Sequence, residues 1–333
     1  MNWGKFSLFI KNKIKKYLNF KMTFLYIITI ILASAILVKA AHQVIKSLAY
    51  LAQCLKISEF VIAFILASIA TSLPELFVGI SSALNKTPIL SLSNVIGSNI
   101  ANITLILGIT IILLGGLNIK IKTIQRNIIY TALLMIYSLL LCLDGVLSRL
   151  DGLALLVSFT LYNLILVHQN QDQSKIIIKV KKKELTKNIL SFIVGIALLL
   201  ISAQIIVEAA NNLAIKLNIP LFIVGLFMVA IGTSLPELIL GIRAAHQKHK
   251  DMILGGILGS VAVNSTAVLG ITALISPIII KNNALFINGI VALLIAYLLF
   301  GIFAHSKKRI SWQEAMILLF FYITFTIIQF LLK

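Results

Sequence analysis

The hexapeptide TSLPEL occurs twice in the chain, at residues 71–76 and 233–238, and each copy lies inside a long apolar run. Proline removes a backbone donor from a helix and clashes with the preceding turn. An acid inside an apolar segment costs free energy unless something compensates its charge. The 333-residue chain has only 10 Asp and Glu, so a Pro and a Glu at the same point of two apolar runs predict a special role for both copies.

The two copies belong to a longer internal repeat. Residues 67–112 align without a gap with residues 229–274 at a constant offset of 162, and 20 of the 46 positions are identical. The identities include a Pro, a Glu, an Asn and several Gly, which chance similarity between apolar segments does not readily produce. The match indicates an internal duplication.

Composition places the chain in a membrane. Hydrophobic residues make up 60% of it, well above the share in an average globular protein. Cys54 and Cys142 lie in apolar surroundings and are interpreted as small buried hydrophobes. Because several runs reach the ~20 apolar residues that cross a bilayer, the pattern predicts an all-α polytopic membrane protein with ten transmembrane helices, at about residues 23–44, 57–84, 90–115, 125–143, 150–168, 188–209, 219–245, 251–278, 283–303 and 311–332.

Each half of the chain holds five of these spans, because the repeat offset also pairs residues 41–55 with 203–217. An odd number of spans makes the second half enter the membrane from the opposite face, which is the inverted-topology repeat typical of secondary transporters. The predicted organisation is a basic N-terminal tail at 1–21, a five-helix repeat at 22–168, a basic loop at 169–187 and a second five-helix repeat at 188–333.

The net charge of +19 follows the loops and does not indicate nucleic-acid binding. Lys and Arg concentrate in alternate loops, and basic loops mark the cytoplasmic side. The central loop is therefore predicted to be cytoplasmic, in contact with anionic lipid, and both termini to lie outside. The six basic residues of the tail fall on the wrong face. A true start at Met22, a short amphipathic piece on the outer surface and a cleaved signal peptide are three explanations; cleavage would break the pairing of the halves.

Of the ten acids, only Glu75 and Glu237 lie well inside predicted spans. A charge at the bilayer centre costs ~2.5–3.5 kcal/mol or more. Pro74 and Pro236 each leave the carbonyl four residues earlier without its helical donor, and such backbone persists in hydrocarbon only where something satisfies it. A bound cation would do so. The alternatives are an ordinary proline kink eased by Ser and Thr, and protonated Glu side chains that hold helices together.

Hydroxyl and amide side chains accompany the acids in both halves. Inverted repeats can bring their helix faces together at the membrane midplane, which would give an oxygen-only site suited to hard cations and to Ca²⁺ in particular. For the Ser and Asn residues alone, interhelical hydrogen bonding is the alternative. The matched residues are Thr71, Ser72, Thr233 and Ser234 beside the acids, and Ser98, Asn102, Ser260 and Asn264, in pairs four residues apart, on the following helices.

TSLPE in an apolar helix, followed by a GS-x₃-N helix, twice and in opposite orientation, resembles the repeats of the cation/calcium antiporter superfamily, and its prokaryotic sodium/calcium exchangers above all. The resemblance implies a secondary antiporter of the prokaryotic cell membrane that exchanges Na⁺ for Ca²⁺ by alternating access. The first two spans of each half, or their equivalents, would slide against the rest. It implies Glu75 and Glu237 as shared ligands, completed by Thr71, Ser72, Thr233, Ser234, Ser98, Asn102, Ser260, Asn264 and the carbonyls of Ser68 and Ala230.

The chain departs from the family pattern at a few positions. Several prokaryotic members have Asp where this chain has Asn264, and Ser93, Gly256 and Val261 replace residues of the usual GN-x-x-GSN pattern. These changes leave the relative affinities for the ions open.

Other function classes find less support in the sequence. An H⁺-coupled or K⁺-dependent divalent cation antiporter of the same fold is the alternative within the class. An intramembrane hydrolase would need a motif such as HExxH, which the sequence lacks, and a scaffold protein would not need two buried acids. We expect no enzymatic activity, no cofactor apart from the transported ions, no nucleic-acid partner and no obligatory protein partner.

Overall fold

The computed structural model describes residues 3–54, 67–119, 122–168, 182–246, 250–281, 283–306 and 309–331. The described part of the first half is helical almost throughout. Its helices are α1 (Trp3–Cys54), α2 (Ala67–Thr71), α3 (Leu73–Leu84), α4 (Ile89–Ala101), α5 (Leu107–Leu114), α6 (Lys122–Leu140) and α7 (Arg149–His168), with a π-helical turn at Asn102–Ile106 and two short strands, β1 (Leu117–Asn118) and β2 (Val146–Leu147).

The second half repeats this order of elements. Its helices are α8 (Lys182–Leu217), α9 (Leu221–Ile223), α10 (Ala230–Thr233), α11 (Leu235–His246), α12 (Lys250–Val263), α13 (Leu269–Ile275), α14 (Asn283–Ser306) and α15 (Trp312–Leu331), with π-helical turns at Val224–Val229 and Asn264–Val268 and the strands β3 (Ile278–Ile279) and β4 (Arg309–Ile310).

The predicted all-α plan of ten helices in two inverted repeats is confirmed. Eight helical stretches of the described chain are long and apolar enough to cross a membrane. Of the other two predicted spans, residues 57–84 are described only from residue 67 onwards, where they form α2 and α3. The span at 125–143 corresponds to α6, whose first turns carry Lys122 and Arg126.

At two predicted boundaries, helix continues past the apolar segment. α1 is a single helix of 52 residues, about 78 Å long at 1.5 Å per residue, and its apolar span, Met22–Val44, agrees with the predicted span at about 23–44. α8 begins at Lys182, so the last six residues of the predicted loop at 169–187 are helical. Residues 169–181 lie outside the described residues.

The four strands show the pseudo-twofold relation of the halves. β1 pairs antiparallel with β4, and β2 pairs antiparallel with β3. β1 and β3 follow the third span of their own halves, and β2 and β4 follow the fourth, so exchanging the halves maps one pair onto the other. With ten spans, the two pairs lie on opposite faces of the membrane.

The fifth span of each half begins with the same capping box. At the start of α7, the Ser148 backbone N–H donates to Asp151 Oδ2 at 2.8 Å, and the Asp151 N–H donates to Ser148 Oγ at 3.2 Å. At the start of α15, Ser311 and Glu314 make the equivalent bonds at 2.7 and 3.3 Å. This reciprocal pattern satisfies backbone donors that a helix start leaves free, so the helix start is duplicated along with the apolar pattern.

The apolar core is divided into two main clusters. α1 and α8 pack against each other, and their buried side chains form one cluster, together with parts of α3, α4 and the π-helical turn at Val224–Val229. The larger cluster joins most of the remaining helices. A polar contact ties α1 to α8, because Gln43 Nε2 donates to the carbonyl oxygen and to Oγ of Ser191 at 3.1 and 3.0 Å.

Two matched glycines let the halves approach each other closely. A Cβ built at Gly97 on α4 would collide with the backbone carbonyl of Leu226 and would lie 2.7 Å from the Cβ of Ala230. A Cβ at Gly259 on α12 would collide with the side chain of Ser68. Since residues 97 and 259 are equivalent, and residues 68 and 230 are too, the same contact occurs twice.

We expect Gly97→Ala to destabilise the protein, because the contacting atom is a backbone oxygen that cannot turn away. Overpacking of this kind costs about 1–3 kcal/mol. The thermal unfolding midpoint of the purified variant measures it. Gly301→Ala on α14 is the control, since a Cβ there meets nothing within 4 Å and alanine favours helix. Equal midpoints for Gly97→Ala and Gly301→Ala would contradict the close packing described here.

Candidate functional site

Each TSLPEL motif breaks its helix at the Ser, and the Pro does not sit in a continuous kinked helix. Ser72 between α2 and α3 has φ −85° and ψ 3°, and Ser234 between α10 and α11 has φ −83° and ψ 4°. The Pro then occupies the first turn of the next helix, where its missing N–H costs little. The break keeps its backbone partly paired, because the Ser72 N–H donates to the Ser68 carbonyl at 3.3 Å and the Ser234 N–H to the Ala230 carbonyl at 3.0 Å.

The two glutamates lie just after these breaks. Glu75 is in the first turn of α3 and Glu237 in the first turn of α11, where the helix dipole favours negative charge. Their exposed fractions are 0% and 3%, and no other acid is buried among the side chains that the structure describes. Glu237 lines a small cavity together with Thr71, which lies four residues before Glu75. The predicted acids are thus brought together in the protein interior.

Four of the predicted hydroxyls form two crossed pairs between the halves. Thr71 Oγ1 lies 2.9 Å from Ser260 Oγ, and Ser98 Oγ lies 3.3 Å from Thr233 Oγ1. Each pair joins the break of one half to the GS-x₃-N helix of the other. Because one pair is the repeat equivalent of the other, both follow from a single type of contact made twice.

The predicted carbonyls lie beside the same threonines. Thr71 Oγ1 donates to the Ser68 carbonyl at 3.2 Å, and Thr233 Oγ1 lies 3.3 Å from the Ala230 carbonyl. Ser98 Oγ also approaches the Ala230 carbonyl, at 3.5 Å. The backbone oxygens are therefore part of the same polar cluster as the hydroxyls.

The two carboxylates have different surroundings. Glu75 Oε1 accepts a hydrogen bond from Ser98 Oγ at 3.1 Å. Neither carboxylate oxygen of Glu237 has a hydrogen-bond partner among the described residues, and neither does Glu75 Oε2. Buried polar atoms are normally paired, so three unpaired carboxylate oxygens in the protein interior indicate a place where a cation would be bound.

The remaining predicted residues add further unpaired oxygens. The hydroxyls of Ser72 and Ser234 are buried and have no hydrogen-bond partner among the described residues. The same is true of both polar atoms of the Asn102 side chain and of Asn264 Oδ1. The π-helical turn that begins at Asn102 packs against α11, and the turn that begins at Asn264 packs against α3. Each Asn thus belongs to a turn in contact with the helix of the opposite half's glutamate, and such turns are frequent at functional sites.

Sequence reasoning missed two amides of the same cluster. Asn94 Oδ1 accepts from Thr233 Oγ1 at 3.1 Å, and Asn99 Oδ1 accepts from Asn264 Nδ2 at 3.2 Å. A search for matched residues passes over both, because their repeat equivalents are Gly256 and Val261. Asn94 lies four residues before the candidate Ser98, and Asn99 lies three residues before the candidate Asn102, so a shared helix face would have been the signal.

The missing side chain at Gly256 leaves space in the second half. A cavity of about 10 Å³ is lined by Thr71, Glu237 and Gly256, together with residues of α11 and α12. In the first half, the equivalent position carries Asn94, which is buried and accepts a hydrogen bond from Thr233 Oγ1. The two halves of the site are therefore similar in their ligand types but different in shape around the acids.

The donor set is composed of oxygen atoms. Carboxylate, hydroxyl, amide and carbonyl oxygens are the ligands of hard cations, and Ca²⁺ takes six to eight of them. Among the described residues, no group of three or more His, Cys, Asp or Glu is placed to hold a metal ion, so the site differs from the usual sites of transition metals. Cys142 is a buried free thiol, as predicted, and the side chain of Cys54 lies outside the described part.

A protein-family model described as "Sodium/calcium exchanger protein" matches residues 25–168 and 187–331 of the chain. The two matched segments agree with the two halves of the fold. They leave out the residues between the halves and the first 24 residues.

Individual relatives match over most of their length. Membrane protein MJ0091 of Methanocaldococcus jannaschii is 30% identical over 80% of this chain and 86% of its own. Sodium/calcium exchanger MaX1 of Methanosarcina acetivorans is 27% identical over 90% of this chain and 97% of its own. The structure of the sodium-calcium exchanger NCX_Mj soaked with Na⁺ and Sr²⁺ matches with a TM-score of 0.60 and 28% identity, over 92% of this chain and 97% of that one.

We expect Glu237→Gln to raise the thermal unfolding midpoint in cation-free buffer, because it removes a buried carboxylate whose oxygens have no hydrogen-bond partner among the described residues. Each kcal/mol gained corresponds to about 2–4 °C in a domain of 150–250 residues. Glu314→Gln in the capping box of α15 is the matched control and should change stability little, because Gln can make the same reciprocal capping contact. A Glu237→Gln protein that melts below the wild type would contradict this account of the site.

Proposed function

We propose that the chain exchanges Na⁺ for Ca²⁺ by alternating access at a midplane site around Glu75 and Glu237. The chain belongs to the sodium/calcium exchanger family and is therefore a membrane antiporter of the cation/calcium class. The observation that carries the proposal is the pair of buried carboxylates with three unpaired oxygens. A buried carboxylate without a donor is costly, and a bound cation offsets that cost.

The charge of the site supports mutually exclusive binding. Two carboxylates balance the charge of one Ca²⁺, and they attract Na⁺ to the same oxygens. If Ca²⁺ and Na⁺ compete for Glu75 and Glu237, one ion leaves when the other binds, which couples their fluxes. Asn264 in place of an acid leaves the site with two carboxylates, so a third negative charge does not enter this balance.

The geometry around the acids supports further ligands, which the family resemblance implies. We assign hydroxyl ligation to Thr71, Ser72, Ser98 and their repeat equivalents, carbonyl ligation to Ser68 and Ala230, and amide-oxygen ligation to Asn102 and Asn264. The crossed Thr–Ser pairs hold oxygens of both halves in one place. Ca²⁺ tolerates flexible coordination, which suits a site whose halves move relative to each other.

The two inverted halves suit alternating access. Inverted repeats allow one group of helices to rock or slide against the other around a fixed site. α1 and α8 dominate an apolar cluster that also takes in parts of α3 and α4. This cluster supports movement of α1 and α8, the first of the two spans in each half that the family resemblance implies to slide against the rest. Apolar contacts are not directional, so a helix pair can slide along them at moderate cost.

The orientation of the chain follows from its basic loops. We propose that the central loop faces the cytoplasm of a prokaryotic cell and that both termini lie outside. The connection after α3, with Lys86, would then face outwards.

The test of exchange is ⁴⁵Ca²⁺ uptake into proteoliposomes loaded with Na⁺, with and without an outward Na⁺ gradient. We expect gradient-dependent uptake by the wild type, and a loss of at least about tenfold for Glu75→Gln and for Glu237→Gln, because a buried charge-assisted contact is worth about 1.5–3 kcal/mol. Glu314→Gln carries the same substitution outside the site and should transport normally.

Well-folded wild type that takes up Ca²⁺ under an H⁺ or K⁺ gradient and ignores Na⁺ would replace the Na⁺ assignment with the alternative coupling ion. Uptake that persists in both glutamine variants would exclude the proposed site.

Orientation is tested with single cysteines in a background that lacks Cys54 and Cys142. We expect Lys86→Cys to react with a membrane-impermeant maleimide added to intact cells, and Ser174→Cys in the central loop to react only after permeabilisation. The reverse pattern would show that the chain is inserted the other way round.

A further inference from the structure

We propose that Asn99 is a positioning residue that fixes the orientation of the Asn264 carboxamide, so that Asn264 offers its oxygen and not its NH₂ group to the transported cation. The inference deepens the proposed function and rests on it in treating Asn264 as an ion ligand.

A chain of two hydrogen bonds carries the inference. Asn264 Nδ2 donates to Asn99 Oδ1 at 3.2 Å, and Asn99 Nδ2 donates to Ser265 Oγ at 3.0 Å. Asn99 and Asn264 are 1% and 0% exposed, so water does not compete for these groups. Asn264 Oδ1 has no partner among the described residues, and it is the atom that this arrangement leaves free to bind a cation.

Orientation matters because the two ends of a carboxamide behave oppositely towards a cation. The oxygen is a ligand, whereas the NH₂ group only donates hydrogen bonds. The terminal torsion of Asn is broad and roughly two-fold, so the group turns readily unless its partners prefer one state. Turning Asn264 alone in the wild type would place its oxygen against the oxygen of Asn99 and lose a hydrogen bond. Turning both amides together would require the Ser265 hydroxyl to donate to Asn99 in place of accepting from it.

The first half lacks an equivalent device. The counterpart of Asn99 is Val261, which cannot bond to an amide. The counterpart of Asn264 is Asn102, and neither of its polar atoms has a partner among the described residues. The two matched asparagines therefore differ in their preorganisation. The Asn264 carboxamide is oriented before the ion binds, whereas the Asn102 carboxamide is oriented only by the ion.

The competing explanation is that Asn99 only holds α4 against the π-helical turn at Asn264–Val268. In that case its loss would lower stability without changing ion affinity. A measurement that separates stability from affinity decides between the two.

The test uses purified protein in Na⁺-free buffer and measures the half-maximal Ca²⁺ concentration, which is the free Ca²⁺ that fills half of the ⁴⁵Ca²⁺ binding capacity. Binding is measured directly because a thermal shift rises with the logarithm of the Ca²⁺ concentration and does not saturate. We expect Asn99→Val, which copies the residue found at 261, to raise that concentration about 2- to 12-fold. This range corresponds to about 0.5–1.5 kcal/mol, the usual net worth of one hydrogen bond, at 1.4 kcal/mol per tenfold change. In an Asn264→Ala background, Asn99→Val should change it by less than about twofold.

Two further variants keep the test decisive. Ser91→Ala removes another buried contact of α4, the 3.0 Å pair with Thr272, and should lower the midpoint without Ca²⁺ while leaving the half-maximal Ca²⁺ concentration unchanged. If Asn264→Ala no longer binds Ca²⁺, Asn264→Asp takes its place. A carboxylate presents oxygen in either orientation, so Asn99→Val should then no longer weaken Ca²⁺ binding.

The inference is overturned if Asn99→Val leaves the half-maximal Ca²⁺ concentration unchanged, or if it raises that concentration equally with and without the Asn264 amide. Failure of the proposed function gives a different result. Ca²⁺ binding without Na⁺-driven uptake removes Na⁺/Ca²⁺ exchange and leaves the role of Asn99 standing, whereas a wild type that does not bind Ca²⁺ overturns both.

Discussion

Two buried carboxylates on matched helices of the two halves are the constraint on which the rest of this structure depends. The buried side chains that the structure describes include no Lys, Arg or His, so the protein must offset the desolvation of the two acids with dipoles. It does so by beginning a helix immediately before each acid and by gathering hydroxyls, amides and carbonyls around them. This surplus of oxygen lone pairs over donors would destabilise an ordinary core, and it is the property that a cation-binding site requires.

The fold could be predicted, and the candidate ligands could be proposed, because the same residues recur in both halves at a constant offset. Ser98 and Thr71 each have an identical residue at the matched position of the other half. This match distinguishes them from the apolar residues around them. The apolar lengths likewise predicted the ten spans, and at the starts of α1 and α8 the helix continues beyond the apolar segment.

The contacts that depend on differences between the halves could not be predicted from the repeat. Asn94 and Asn99 have no polar counterparts in the second half, so the repeat gives no signal for them. The π-helical turns and the crossed Thr–Ser pairs arise from tertiary packing between the halves, which local sequence does not encode. The change from a kinked helix to two separate helices at TSLPEL has a similar cause, because a broken backbone is stable in an apolar layer only when the opposite half supplies its neighbours.

The crossed Thr–Ser pairs have a consequence for the origin of the chain. Each half supplies the Thr of one pair and the Ser of the other. A half-length protein inserted in the membrane in both orientations could therefore have formed both pairs with its own copy. A symmetric dimer of identical subunits in dual orientation would contain the same two contacts and the same two acids. Fusion of the copies into one chain fixes their orientation and frees each half to diverge. The single-sided Asn99–Asn264 bond records that divergence, since it is a contact that a symmetric ancestor would have had to make twice or not at all.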